Sequence, residues 1–303
     1  MLITPRVRQA YSGMLPGLVA GHYRREETEI DVAALAGRAY AELVLDTVVA
    51  LDPVRKTLVL ESGTALAYDT ASLNVGSRMA PISGEEYALP AKPFEDFVER
   101  VRRGVRSAVI GGGAAGAELA MALRHAGSAV SLYSESTLPP RLARALRRRG
   151  VNLIRLTVDA IGPGGVVLAG KAQAQYEQVV LASGAAPHAW LGRFLEVDDR
   201  LRCVSVPDVF ACGDCATQQG ARYPKSGVYA VRHGELLGRN LHHLVKGEPL
   251  EAYVPQERAL MLLSCGARYA IAQRGKWTAE GRVFWWLKNS IDRRWVRRLN
   301  ASS

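Results

Sequence analysis

The stretch SAVIGGGAAGAELAMALRHAG, Ser107–Gly127, decides the fold of this chain. It reads as a β-strand, a glycine-rich turn and a helix that stops near Gly127. SAVSLYSE, Ser128–Glu135, follows as the next strand and completes a βαβ unit. Within it Gly111, Gly113 and Gly116 form G-x-G-x-x-G directly after the strand, with Gly112 and Ala114 completing the loop. The first glycine makes the tight turn, the second lets a pyrophosphate approach the backbone, and the third lets helix and strand pack closely. The helix N-terminus then offers N–H groups and its positive dipole end to the phosphates. The ribose-binding acid is expected near the end of the next strand. Glu135 there favours NADH, whereas Ser134 beside it leaves room for a 2′-phosphate; the reading leans to Glu135 and NADH.

Upstream, YAELVL (40–45), VVAL (48–51) and TLVL (57–60) are short β-prone runs separated by turns, and YDTASLNVGS (68–77) is a buried strand ending at Gly76. The loop-rich PISGEEYALPAKP, 81–93, marks a boundary. Downstream, LPPRLARALRRRG (138–150) is an amphipathic helix with a solvated arginine face, and VNLIRL is another strand. IGPGGVVLAG (161–170) is a hairpin, and EQVVLASGAAP (177–187) is a buried strand meeting a glycine. DVFACGDCA (208–216) runs from strand into loop, and SGVYAVRHGELLGRNLHHLV (226–245) is a helix. LMLLSCGARYAIAQRGKW (260–277) reads as a hairpin, and the basic, Trp-rich GRVFWWLKNSIDRRWVRRLN (281–300) as a final helix.

The 303 residues suit about two domains, and about half of them are hydrophobic, as a globular core requires. The net charge is +10, but from Arg268 onward nine basic residues stand against two acids, so most of the excess sits in the tail. That distribution argues against a nucleic-acid surface. The four cysteines, Cys203, Cys212, Cys215 and Cys265, are too few for a disulfide-stapled secreted scaffold. No signal peptide and no apolar run of about 20 residues is apparent, which gives the expectation of a cytoplasmic protein, soluble or peripheral on the inner face of a membrane.

These motifs occur in a familiar order. YSGMLPGLVAGHY, YDTASLNVGS, VIGGGAAGAELA, VVLASGAAP, VFACGDCA and PKSGVYAVRHGELLGRNL together resemble the pyridine nucleotide-disulfide oxidoreductase superfamily, closest to its type II NADH dehydrogenase-like branch. The resemblance covers nearly the whole chain. It implies an α/β fold of two Rossmann-like, glutathione reductase-like domains. A discontinuous FAD-type domain is expected over 1–92 and 196–250, an NAD(P)-binding domain over 93–195, and a hairpin with an amphipathic helix over 251–303. It implies FAD and NAD(P)H as cofactors, with hydride passing from NAD(P)H to flavin and electrons on to a quinone or other acceptor. The cofactors carry the chemistry, so no catalytic acid, base or nucleophile is expected.

By the same resemblance Asp214 hydrogen-bonds the ribityl chain of FAD, and Gly213 lets the backbone approach it. The helix starting at Ser226 or Gly227 aims its positive end at the flavin pyrimidine, with Lys225 as a second donor. Met14, Leu15 and Pro16, in SGMLP, are expected beside the isoalloxazine. The superfamily's disulfide reductases carry C-x-x-x-x-C near that N-terminal region, whereas no cysteine here precedes Cys203, which removes disulfide reduction by that route. Cys212 and Cys215 read as incidental to the Gly-Asp fingerprint, and no second pair at zinc-ligand spacing joins them.

Family members open with a βαβ unit holding the FAD pyrophosphate; MLITPR looks like the tail of its second strand, so about 30 residues are expected to be lacking. A late-assigned start, a truncated remnant that holds FAD weakly and a partner-supplied unit are the alternatives. A homodimer is compatible with the sequence. In the tail, Phe284, Leu287, Ile291, Trp295 and Leu299 fall at near-helical spacing among arginines, the composition of an interfacial membrane helix over 283–299 or of a stripe docked on the protein's own core.

Overall fold

The computed structural model describes residues 1–168 and 172–301. The chain forms two compact units, each assembled from three separated segments. Met1–Val7, Ala36–Arg78 and Ala185–Ala259 make the first; Arg8–Leu35, Met79–Gly184 and the chain from Leu260 onward make the second.

The second unit is built on the strand and helix of the opening stretch. Arg106–Ile110 lies at the centre of a five-stranded parallel sheet. Across the sheet the order is Leu89–Pro90, Gln178–Leu181, Arg106–Ile110, Ala129–Tyr133 and Asn152–Ile154. Ser107, Ala108, Val109 and Ile110 are all buried, as are Gln178 to Leu181, because helices cover both faces of a parallel sheet. The helix Ala114–His125 crosses from the central strand to the next, burying Gly116, Ala117 and the run Leu119–Leu123. Pro140–Arg148 makes the following crossover; it buries Leu142, Ala145 and Leu146 and leaves Arg141, Arg144, Arg147 and Arg148 exposed. The hairpin read in 161–170 is present as Val158–Gly162 paired with Gly165–Leu168, and Ala172–Gln175 adds a third antiparallel strand. The end of that stretch, 169–170, lies outside the described residues.

In the first unit, two parallel pairs join distant segments: Leu2–Thr4 with Leu43–Leu45, and Ala71–Leu73 with Val209–Ala211. A meander of Val48–Asp52, Thr57–Leu60 and Ala65–Ala67 follows the β-prone runs of the sequence. Tyr40, expected within a strand, is instead a turn residue with φ 49° and is fully exposed. Val209, Phe210 and Ala211 are fully buried, as are Leu201 and Cys215, and they share a core with Leu237 of the long helix Gly227–Lys246.

The division differs from the expected one. Residues 8–35, expected in the FAD-type domain, and the chain from Leu260 onward, expected as a separate tail, both belong to the second unit. Packing is the reason. Val19 and Ala20 are buried with the phosphate-loop helix and the central sheet. Met14 and Tyr23 form a further core with Ala270, Trp285 and Val296. The expected hairpin is a three-stranded antiparallel sheet, Leu260–Ser264, Ala270–Arg274 and Trp277–Gly281, leading into the helix Arg282–Asn300.

That last helix docks through a face that only part of the hydrophobic stripe marked: Phe284 packs against the core of Met14, Tyr23 and Trp285, and Trp295 and Leu299 are half-buried. Its buried residues are Trp285, Asp292 and Val296. Asp292 goes inside because Lys288, one turn earlier, donates to its carboxylate at 2.8 Å and to the Gly13 carbonyl at 2.7 Å. Burial and the neighbouring Asp292 charge raise the Tyr11 hydroxyl pKa above its ordinary value, and Tyr11 also hydrogen-bonds Asp292. A buried ion pair is tolerated when its remaining hydrogen-bonding groups are satisfied. Of the expected stripe, Leu287 and Ile291 stay exposed, beside Val283 and Trp286.

The adjacent tryptophans should therefore differ sharply. Trp285→Ala is expected to cost about 3–5 kcal/mol of stability, as for other large buried aromatics, and Trp286→Ala less than about 0.5 kcal/mol. Urea denaturation of the two variants checks this, and equal midpoints would contradict the docked face.

Candidate functional site

The phosphate loop has a separate steric reason for each of Gly111, Gly112 and Gly116. Gly111 has φ +120°, and a Cβ there would lie 2.1 Å from the Ala182 carbonyl oxygen. A Cβ on Gly116 would lie 1.9 Å from the Gly111 carbonyl oxygen, so the helix rests on the loop with no room for a methyl group. Gly112 sits over Ser134, whose Oγ would be 2.1 Å from an added Cβ. Gly113 differs: its φ of −66° is ordinary and nothing lies within 4 Å of its Cβ position. Space, not conformation, is what Gly113 provides. It is the N-cap residue of Ala114–His125, no side chain caps that end, and Gly113, Ala114 and Ala115 are exposed. A helix N-terminus with an open approach and no acidic residue in its first turn suits a pyrophosphate.

The two ribose candidates are placed differently. Ser134 is buried, and its hydroxyl donates to the Ser136 carbonyl at 2.8 Å. Glu135 is exposed, two residues past the strand Ala129–Tyr133.

Sequence reading passed over Glu118, the sole acid of the phosphate-loop helix, two residues beyond Gly116. Its carboxylate accepts the Ser264 backbone N–H at 2.7 Å. Burial pushes its pKa up to about 7, against the opposing pull of Lys288. An isolated acid in an otherwise apolar helix was the signal available.

In the first unit, Cys212 ends the strand Val209–Ala211 and Gly213–Cys215 forms a single helical turn. Gly213 has φ +70°, a region where a side chain is strained, and a Cβ would also meet Asn74 Oδ1 at 3.0 Å. Ser77 Oγ donates to Asp214 Oδ2 at 3.3 Å. The turn borders a cavity of about 450 Å³ whose lining includes Gly213, Asp214, Lys225, Ser226, Tyr229 and His233. Four of the residues singled out from the sequence thus meet at one cavity, and Gly227 begins the helix that follows Ser226, whose side chain makes no cap hydrogen bond. That helix also lacks an acid in its first turn. Lys225 is held at the rim: its Nζ donates to the Ala216 carbonyl at 2.7 Å and lies 3.8 Å from the centre of the Phe194 ring.

Met14, Leu15 and Pro16 are buried within the second unit, Met14 completely, so their side chains serve its core. All four cysteines are free and buried. Cys215 Sγ donates to the Cys212 and Leu73 carbonyls, and burial holds the Cys212 thiol up at about 12. Thiols in that state are inert.

The chain belongs to the pyridine nucleotide-disulphide oxidoreductase family, whose sequence model matches residues 2–234. It is 26% identical over 264 residues to "Ferroptosis suppressor protein 1" of Taeniopygia guttata, which covers 75% of this chain and 69% of that protein. Its fold is similar to the sulfide:quinone oxidoreductase of Aquifex aeolicus, with a TM-score of 0.78 at 15% identity over 99% of this chain and 85% of that one. It is also similar to a water-forming NADH oxidase of Lactobacillus brevis bound to NADH, with a TM-score of 0.71 at 23% identity over 90% and 68% of the two chains. FAD and NAD(P)H are the cofactors, and the general reaction is NAD(P)H-dependent flavoprotein oxidoreduction. The open phosphate loop fits the nicotinamide dinucleotide, and the Gly213–Asp214 turn at its cavity fits a flavin.

Gly113→Ala should fold normally yet weaken NADH binding about tenfold or more by filling the phosphate space. Gly116→Ala should lower both NADH affinity and melting temperature, because it displaces the Gly111 carbonyl. Fluorescence titration with NADH alongside thermal melts separates the two effects. Glu118 gives a pH signature. Its folded pKa is raised, so its contribution is fully present below about pH 4.5 and is lost as pH rises through about 7. Glu118→Gln, which keeps the acceptor for Ser264, should gain about 1–3 kcal/mol over wild type at pH 8 and nothing at pH 4.5.

Proposed function

We propose that this chain is a type II NADH dehydrogenase-like enzyme that oxidises NADH and delivers the electrons to a quinone. The observation that carries the reading is the state of its sulfur. The four cysteines are buried protonated thiols, with Cys203, Cys212 and Cys265 held up at about 12. Transfer through a dithiol needs an accessible thiolate, so an acceptor that diffuses to the site takes that role. When bound, FAD supplies the two-electron link between NADH and such an acceptor.

The chain's own residues bind and orient. The first turn after Gly113 holds the dinucleotide pyrophosphate. Glu135 accepts hydrogen bonds from the adenosine ribose and repels a 2′-phosphate, which favours NADH. Asp214, oriented by Ser77, accepts from the ribityl chain. The N-terminus of Gly227–Lys246 favours negative charge at the flavin pyrimidine.

The exposed Val283, Trp286, Leu287 and Ile291, flanked by Arg282 and Arg294, support peripheral contact with the membrane that dissolves the quinone. Among the described residues no helix is long and apolar enough to cross a membrane.

The test is quinone reduction by the purified chain supplied with FAD. NADH should be preferred over NADPH by about tenfold or more, and Glu135→Gln should erase most of that preference. Quinone reduction no faster than with free FAD, or a preference for NADPH, would overturn the proposal.

A further inference from the structure

His233 is the largest polar side chain sealed in the first unit, with 1% exposure, and neither the family fingerprint nor the reaction calls for it. It stands on the helix Gly227–Lys246, two turns from its start, directly behind the Gly213–Asp214 turn. Its Nδ1 accepts the Gly213 backbone N–H at 3.2 Å. Nε2 must then carry the ring proton, which it donates to the Tyr223 hydroxyl at 3.0 Å. Tyr223 donates to Gln218 Oε1 at 3.3 Å, and Gln218 Nε2 donates to the Tyr253 carbonyl at 3.1 Å. Each group in this series passes one donor onward, so a single tautomer satisfies them all.

Aromatic rings enclose the series. Tyr253 meets the imidazole edge-on with centroids 4.4 Å apart, and Tyr223 stacks on Tyr229 at 4.7 Å. Burial, together with the Lys225 charge, lowers the His233 pKa to about 4, so the ring stays neutral and Nδ1 stays an acceptor at neutral pH.

We propose that His233 is a positioning residue: by accepting the Gly213 N–H, and being fixed in turn by Tyr223 and Gln218, it holds the left-handed turn that presents Asp214 to the flavin. Gly213 in its left-handed conformation turns a buried N–H away from strand pairing, and a buried donor needs an acceptor. His233 supplies that acceptor from a rigid helix, while Ser77 fixes the carboxylate of the next residue. The proposal rests on the flavin reading of Asp214.

The experiment compares wild type with His233→Leu, His233→Asn and Tyr223→Phe by amide hydrogen exchange at Gly213 and by titration with FAD and NADH. Asn can place an acceptor near the Nδ1 position; Leu cannot. H233L should lose about tenfold in Gly213 protection and about tenfold in FAD affinity, the scale of one lost hydrogen bond, with NADH affinity unchanged. H233N should recover most of both, and Y223F should lose part of both while keeping the fold if H233L does not. Unchanged protection and FAD affinity in H233L and Y223F overturn the latch. A wild type with the expected protection that binds no flavin overturns the flavin reading, and the positioning role with it.

Discussion

The close approach of one helix to one strand turn governs the second unit. At Gly116 the helix Ala114–His125 lies so near the Gly111 carbonyl that a single methyl group has no place. That contact sets the helix against the centre of the parallel sheet and fixes Gly113 at its open end. The same helix carries Glu118 to the Ser264 amide at 2.7 Å, so the C-terminal sheet is registered against the dinucleotide loop by a carboxylate. The Lys288–Asp292 pair then ties the final helix to the Gly13 carbonyl, and Trp285 and Val296 close over Met14.

The two candidate cofactor loops solve one problem in two ways. Each must bring backbone close to a ligand, and each uses glycine to do so. In the second unit the loop runs straight into a helix whose first turn no side chain caps, which leaves its N–H groups as the proposed binding device. In the first unit the strand ends at a left-handed glycine, whose N–H is taken up internally by His233, and Asp214 is the group presented. The first device is legible as a spacing of glycines. The second depends on a histidine 20 residues downstream of the glycine it serves.

The cysteine pair and the tail show how composition misleads. C-x-x-C invites a redox reading, yet Cys215 spends its thiol on the Cys212 and Leu73 carbonyls and Cys212 is walled into the core. In the tail, Leu287 and Ile291, the middle of the five-residue stripe, are left outside while Asp292 goes in. Hydrophobic periodicity scores each side chain alone and cannot register that Lys288 and Tyr11 make a buried aspartate acceptable.

The sequence by itself determined the βαβ unit, its phosphate loop and most strands and helices, because each rests on local chemistry: glycine where a Cβ has no room, β-branched runs in buried strands, helical spacing of apolar residues; the Gly-Asp turn was legible only through the order of motifs that resembles the family. Tertiary structure alone decided the rest. It placed 8–35 and the C-terminal sheet and helix in the second unit, buried Met14 and Leu15, brought Asp292 inward beside Trp285 and Val296 on the docked face of the last helix, and joined His233 to Gly213. Those outcomes depend on pairs of residues far apart in the chain, and the value of a buried charge or hydrogen bond is set by its partner.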